Sequence, residues 1–429
     1  MAFIGFVLIV IGLIHLYLWK RLVRDTTRRG RWRRIGSVAA IAGAVLIPVT
    51  MILSRSGLPG LNWLIWPGFL WLAVMFYLLV TLAVLELPMS AAKLMLRYRA
   101  RQAAAETAPR REPALVAAAE TTGDAGPARP SLDDKGVPAD PDPTTDPRHD
   151  PARRLLLARS AAIFAGLTAV GITGFGVRTA LGPPQIDRVQ IPLAKLPRRM
   201  DGLRIATVSD IHIGPLAGRA HTERIVAAIN RLDADIVAVV GDLVDGSVAE
   251  LGAAAEPLRR LRARHGSYFV TGNHEYYSGV AEWVDELDRL GLHVLQNERR
   301  ELRARGGVID LAGVNDPAGG KPGPLAGPDF AAALGGRDPS RPVVLLAHQP
   351  VQVHEAARYG VDLQLSGHTH GGQLVPFNLL VRLQQPMVSG LATIDGTKVY
   401  VTNGAGFWGP PVRVGAPPQI TLVELRSIA

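Results

Sequence analysis

Four long apolar runs occupy the first 180 positions, and short ones broken by polar stretches occupy the rest. The long runs are "FIGFVLIVIGLIHLYLW" (3–19), "IGSVAAIAGAVLIPVTMIL" (35–53), "LNWLIWPGFLWLAVMFYLLVTLAVL" (61–85) and "SAAIFAGLTAVGITGFGV" (160–177). Each is near the ~20 residues a helix needs to cross a hydrocarbon layer of ~30 Å, so about four transmembrane helices are expected. Pro48 and Pro67 fall inside two of these runs, where neighbouring helices can satisfy the freed carbonyls. Trp63, Trp66 and Trp71 suit an interfacial belt at one end of the third span. From about residue 186 the texture changes. "LRIATVS", "DIVAVV", "SYFVT", "PVVLLA" and "VDLQL" are near-continuous apolar runs, the pattern of strands buried on both faces. "HTERIVAAINRL" (221–232) and "VAEWVDELDRL" (280–290) have helical spacing between them, so the alternation predicts an α/β arrangement.

Charge refines this picture. The chain has 429 residues, too many for one average domain, and a net charge of +10 from 47 basic and 37 acidic residues. From Gly182 onward there are 25 of each sign, so the whole excess lies in the first 181 residues, between the apolar runs. That is a membrane pattern rather than a basic stripe on a folded domain, and no nucleic-acid partner is predicted. Residues 20–34 carry eight basic residues, and "SRSGLPGLN" carries one, Arg55. The positive-inside rule puts the first of these loops in the cytoplasm and the second outside. Lys93, Arg97, Arg99 and Arg101 after the third run, and Arg153, Arg154 and Arg159 before the fourth, agree. The last 248 residues are then extracytoplasmic, in a multi-pass protein of the plasma (inner) membrane. A cleaved signal peptide does not suit the first run, because its basic residues follow it. The fourth run is rich in Gly and Ala, which a buried domain helix would also be. "ARRLLLARSAAIFAGL" has a loose likeness to a twin-arginine export signal.

Residues 102–152 are dominated by Ala, Pro, Asp and Thr, too few of them apolar to offset ordering entropy. The expected organisation is a membrane domain with three transmembrane helices (1–101), a disordered cytoplasmic linker (102–152), a fourth transmembrane helix (153–181) and a catalytic unit (182–429).

The five apolar strands end in polar residues of one kind. They close on Asp210 and His212, on Asp242, on Asn273, His274 and Glu275, on His348, and on His368 and His370. In α/β sheets the loops at strand carboxyl ends gather at one edge and carry the chemistry. One such motif is a turn; five in order predict a shared metal site. The glycines of "SGHTHGGQ" let the backbone turn tightly around the last pair. His15, His149, His221, His265, His293 and His354 lie outside the pattern and are expected to be ordinary polar residues, and Asp245 in "GDLVD" is expected to hold its loop. There is no cysteine, which excludes thiolate ligands and leaves carboxylate, imidazole and amide donors suited to Mn, Fe, Zn or Co. Two such divalent transition-metal ions, ~3.5–4 Å apart, clamp a phosphoryl group and generate a hydroxide. His274, beside Asn273, is placed to protonate a leaving group or to stabilise the transition state.

The set "DIH…GD…GNHE…H…GHTH" closely resembles the calcineurin-like metallophosphoesterase superfamily over roughly residues 200–425. "SDIHIG", "TGNHEYYSG", "LAHQP", "SGHTHGGQ" and "GFWGPPVRVG" resemble its branch of membrane-associated bacterial phosphodiesterases and transmembrane proteins with a metallophosphoesterase domain. The resemblance implies two packed mixed β-sheets flanked by helices. It implies Asp210, His212 and His370 on a first metal, Asn273, His348 and His368 on a second, Asp242 bridging, and His274 as the catalytic histidine. The expected function is hydrolysis of a phosphoester, a diester first of all, with a lipid headgroup or envelope-derived phosphate suggested by the membrane anchor. Membrane lipid is an expected partner. A related family activity, cleavage of the pyrophosphate in a nucleotide-activated acylated sugar, needs a cytoplasmic substrate and conflicts with the predicted topology. A non-catalytic metal-binding sensor is the other alternative.

Overall fold

A computed structural model of the chain describes residues 2–54, 62–106, 151–320 and 326–428. The apolar runs are helices α1 (Ala2–Trp19), α2 (Arg31–Ser54), α3 (Ile65–Glu106) and α4 (Pro151–Leu181). Four stretches are long and apolar enough to cross a membrane: Gly5–Arg24, Arg31–Ser54, Ile65–Pro88 and Leu155–Leu181. Three sequence expectations shift. Pro67 lies in the first turn of α3, where its missing N–H costs no helical bond. Trp71 does not join a belt: its indole donates to His15 Nε2 at 3.1 Å, inside the bundle. The expected linker is helical at both flanks, since 102–106 continue α3 and 151–152 begin α4; Arg55 and residues 107–150 lie outside the described residues.

Two six-stranded sheets form the second half. The first contains β1 (Gln185–Leu193), β2 (Leu203–Val208), β3 (Ile236–Val240), β4 (Ser267–Val270) and β5 (His293–Val294). The second contains β6 (Glu298–Ala304), β7 (Gly307–Gly313), β8 (Val343–Leu346), β9 (Leu363–Ser366), β10 (Gly390–Ile394) and β11 (Thr397–Val401). The chain then returns to the first sheet as β12 (Gln419–Ser427), giving orders β1-β12-β2-β3-β4-β5 and β10-β11-β9-β8-β7-β6. β2 to β5 run parallel, as do β7, β8, β9 and β11; antiparallel β12–β2, β6–β7 and β10–β11 pairs make both sheets mixed.

Alternate residues of each strand serve two cores, because successive side chains point to opposite faces. Ile236, Ala238 and Val240 of β3 meet Val344 and Leu346 of β8 between the sheets. Val237 and Val239 face instead a layer that includes α5 (Arg219–Asn230), α6 (Val248–Ala255) and α8 (Val280–Arg289). Val343 and Leu345 face Phe330, Leu334 and Ala356 on the other outer side. Burial on both faces is what the unbroken apolar runs anticipated. It leaves the polar chemistry nowhere to go but the strand ends.

Candidate metal centre

Five loops follow parallel strands and converge. Asp210 lies two residues past β2, Asp242 two past β3, His348 two past β8 and His368 two past β9; Asn273, three past β4, opens the short helix α7 (Asn273–Ser278). Five of these residues sit in the left-handed region: Asp210 (φ 52°), His212 (49°), Asp242 (51°), His368 (72°) and His370 (53°). Asp tolerates that conformation better than most residues, and His is enriched there too. Gly241 (φ 76°) has no such latitude, because a Cβ there would stand 2.6 Å from His348 Nδ1.

Among the described residues the donors form three groups, two of which share His212. Asp210, His212 and His370 make the first, Asp242, His348 and His368 the second, and His212, Asp245 and His274 a third beside them, with ligand atoms in each within 4.8 Å of one another. In the first, His212 Nε2 lies 3.0 Å from His370 Nε2, which is 3.3 Å from Asp210 Oδ1. In the second, His348 Nδ1 meets the Val240 carbonyl at 2.8 Å. A carbonyl only accepts, so Nδ1 carries a proton and Nε2 is the ring nitrogen that faces the centre. That Nε2 is 3.1 Å from Asp242 Oδ2, near enough for a hydrogen bond but misaligned for one. Asp242 Oδ2 is also 4.0 Å from His212 Nε2, so this one carboxylate lies between the groups.

Three buried side-chain atoms here have no hydrogen-bond partner among the described residues: Asn273 Oδ1, His348 Nε2 and His368 Nδ1. An unpaired buried polar atom costs ~1–3 kcal/mol. These three are also the non-bridging donors expected from the sequence for one ion. The donor chemistry therefore fits divalent cations, and so does the charge. Asp210, Asp242, Asp245 and Glu275 are all engaged around this pocket.

The electrostatics follow from that crowding. Burial opposes the charged form of His212, yet the Asp245 carboxylate raises it to about 9. Burial likewise opposes His348, whose contact with Asp242 holds it well above its ordinary value. Burial would raise Asp242, but His348 keeps it well below the usual carboxylate range. Burial itself raises Asp210. His368 falls to about 4 through burial and the neighbouring His348, and His370 falls well below normal through burial and the charges of His212 and Arg413. The two neutral imidazoles keep lone pairs available for cations.

His274 stands beside the first two groups. Its backbone N–H donates to Asp242 Oδ1 at 2.9 Å and its Nδ1 meets Asp245 Oδ1 at 2.7 Å, leaving Nε2 as the free ring nitrogen. Asp245 does more than hold its loop. The same oxygen takes His212 Nδ1 at 2.8 Å, so one carboxylate orients a donor and the neighbouring His274. Glu275 was also undervalued. It is buried and accepts the backbone N–H groups of Asp242 (3.1 Å), Leu243 (2.7 Å) and Gly272 (2.6 Å), tying the second loop to the third. Burial, then the Asp242 charge, pushes it up to about 7.

Arg413 lies in the "GFWGPPVRVG" stretch, where its residue type marks no role. It is fully buried with no carboxylate partner among the described residues, donates to the carbonyls of Gly406 (2.6 Å), His370 (3.2 Å) and Ala416 (3.0 Å), and meets His370 Nδ1 at 3.2 Å. Burial lowers it to about 10. His221 is buried against the Ile211 carbonyl and falls in none of the donor groups among the described residues.

The family model for calcineurin-like phosphoesterases matches residues 203–372, from the start of β2 to just past the His370 turn. An uncharacterized metallophosphoesterase of Helicobacter pylori is 39% identical over 277 residues, covering 64% of this chain and 73% of that protein. The chain belongs to the calcineurin-like phosphoesterase family. A transmembrane protein with metallophosphoesterase domain from Danio rerio is 41% identical over 269 residues, 61% of each chain. An uncharacterized metallophosphoesterase of Aquifex aeolicus is 34% identical over 246 residues, 57% of this chain and 92% of that one. The chain thus spans about three fifths of the Danio rerio protein's length. The two mixed sheets with flanking helices are the fold its sequence motifs implied.

Proposed function

We propose that this chain is a membrane-anchored, dinuclear metal-dependent hydrolase of phosphodiesters. The observation that carries the reading is the convergence of three unpartnered donors, on Asn273, His348 and His368, with the Asp210–His212–His370 group across Asp242. Asp210, His212 and His370 would hold one ion, Asn273, His348 and His368 the other, and Asp242 both. Bound there, two divalent ions (Mn, Fe, Zn or Co) supply Lewis acidity, which lowers the pKa of water and neutralises phosphoryl charge.

The protein's own groups do the rest. Asp245 fixes the His274 ring through Nδ1, so a proton carried at Nε2 is aimed rather than free to tumble. In the reaction water's oxygen bonds to phosphorus and releases one proton to solvent, one ester P–O bond breaks, and the departing oxygen takes up a proton, which His274 is positioned to give and then regains from solvent. Glu275 and Asp245 hold the loops so that donors need not reorganise when the charge develops.

The four apolar helices support membrane anchoring, and the basic loop at 20–34 supports an extracytoplasmic catalytic unit. The test uses the purified full-length chain, stripped by chelator and reloaded with each metal. Turnover of bis(p-nitrophenyl) phosphate should return with approach to two ions per chain, and exceed that of p-nitrophenyl phosphate. Loading without turnover of either ester would instead favour a metal-binding sensor. A reporter active only outside the cytoplasm, fused after residue 429, should be active; silence there would reverse the orientation.

A further inference from the structure

The strap between β11 and β12 joins the metal centre to the helical bundle. The Arg413 backbone N–H donates to the Gly176 carbonyl of α4 at 2.9 Å, and a Cβ on Gly409 would stand 3.7 Å from Phe69 Cε1 of α3. Val414 and Leu374 pack against the bundle's buried cluster. Phe69 is four residues past Ile65 and Gly176 five residues before Leu181, the corresponding ends of two apolar spans. At 1.5 Å of rise per residue, the strap meets the helices ~6–8 Å inside those ends. That is the depth of the headgroup and acyl boundary, not of bulk water.

The segment paired with the strap is apolar and exposed. Val375 N–H donates to the Val414 carbonyl at 3.1 Å, and the chain continues as "VPFNLLVRL". Phe377, Leu379, Leu380 and Leu383 are 46%, 62%, 56% and 84% exposed, with Arg382 among them. A soluble surface rarely leaves such neighbours together in water. This cluster begins five residues after His370. Gln373 links it to the rim, donating to the Trp408 carbonyl and accepting the Trp408 N–H, both at 3.0 Å. Trp408 is 58% exposed and stands edge-on to His274 at 6.1 Å between ring centres.

We infer that residues 375–383 and Trp408 form a lipid-facing apron that seats the mouth of the metal centre on the bilayer surface, so that the substrate is a membrane lipid carrying a phosphoester in its headgroup. This deepens the proposed phosphoesterase function and rests on it for the chemistry. The occupant is the bilayer because the apron continues, through the strap, the contact that the catalytic unit already makes with the spans. Trp408 and Arg382 are of the types that settle at membrane interfaces, with ring or stem in the apolar layer and the polar end in water.

The full-length chain in vesicles of phosphatidylglycerol, phosphatidylethanolamine and phosphatidic acid tests this in two ways. The native sequence has no cysteine, so Leu380→Cys carries a single polarity-sensitive fluorophore without background. Its emission should be blue-shifted and quenched severalfold more by acyl-chain nitroxide lipids than a label at Arg303→Cys, whose native side chain is 80% exposed on β6. Equal quenching at the two sites overturns the apron. In the second arm, the doubly substituted Leu379→Glu, Leu383→Glu chain should hydrolyse vesicle lipid at least tenfold more slowly relative to bis(p-nitrophenyl) phosphate in the same preparation. An unchanged ratio, or wild-type turnover of the soluble ester with none of any vesicle lipid, overturns the lipid substrate. Failure of the wild type on the soluble ester would instead fell the phosphoesterase reading, while the quenching still decides the apron.

Discussion

Strand β3 has a buried aspartate at each end, and the two have opposite lives. Asp235, just before it, is finished. The Arg204 backbone N–H (2.9 Å), Arg264 Nη1 (2.7 Å) and Arg305 Nη2 (3.1 Å) all donate to it. Burial would raise its pKa, but those donors bring it below the ordinary value. Asp242, two residues past the strand, is held at φ 51°, and its Oδ2 lies 3.1 Å from an Nε2 that is misaligned for a hydrogen bond. Both are 2% exposed, so depth does not separate them. What separates them is completeness. One edge of the sheet satisfies its charges with the protein's own cations, and the other leaves donors unpaired for cations from outside.

The sharpest way to break that contrast is Asp242→Asn. An amide cannot neutralise two cations, so both ions and measurable turnover should be lost together, read by elemental analysis and ester hydrolysis. Loss of one ion alone would show that the carboxylate does not join the two groups. His274→Ala comes next: both ions should stay while kcat falls ~10²–10⁴-fold, the usual worth of a positioned acid. If that variant sheds metal, His274 belongs among the ligands. An ester with an activated leaving group should suffer less, since its departing oxygen needs no proton.

Asp245→Asn should be milder, at ~10–100-fold, the typical cost of losing a partner that orients a ligand. Because Asp245 holds both His212 and His274, metal affinity and kcat should fall together, which calorimetric metal titration beside kinetics would separate from the His274 pattern. Asp235→Asn should leave turnover per loaded molecule intact and cost ~1–3 kcal/mol of stability at pH 7. The sign follows from the depressed pKa. A carboxylate lowered on folding stabilises above its unfolded value near 4, and that stability is lost as pH falls through the folded value. The gap between wild type and variant in denaturant melts should therefore be full at pH 7 and shrink below about pH 4.

The completed edge of the sheet was hard to read from the sequence and the incomplete edge easy. Strands buried on both faces write themselves as unbroken Val/Ile/Leu runs, and the residues that interrupt them stand out. Asp210, His212, Asp242, Asn273, His348, His368 and His370 all stand out in that way, and the structure groups the six Asp and His residues and leaves Asn273 Oδ1 buried without a partner among the described residues. The particular work of Asp245, Glu275 and Arg413 does not, because they act on backbone groups or on the far nitrogens of His212 and His274, and nothing in residue type marks such a partner. Arg413 is the extreme case, a buried cation meeting the Gly406 and Ala416 carbonyls of its own strap together with the carbonyl and Nδ1 of His370, 43 positions away. In the front half the spans were legible by length, but Trp71 was not. Its direction depends on His15, 56 positions away.

The left-handed backbone at five donor positions also governs how this motif would drift. A non-glycine residue held there costs of order 1–3 kcal/mol, and only the chemistry repays that strain. Glycine would adopt the same angles without strain. In a lineage released from selection for hydrolysis, glycine would relieve backbone strain at 212, 368 and 370, whereas at 210 and 242 it would also orphan the His368 and His274 N–H groups that the two carboxylates accept, and Asn273 and His348, at ordinary angles, would gain nothing from it. Decay of the motif should accordingly be uneven, with glycines accumulating at those three histidine positions first while the two-sheet scaffold persists. A degenerate relative would carry in that pattern a record of having once been an enzyme.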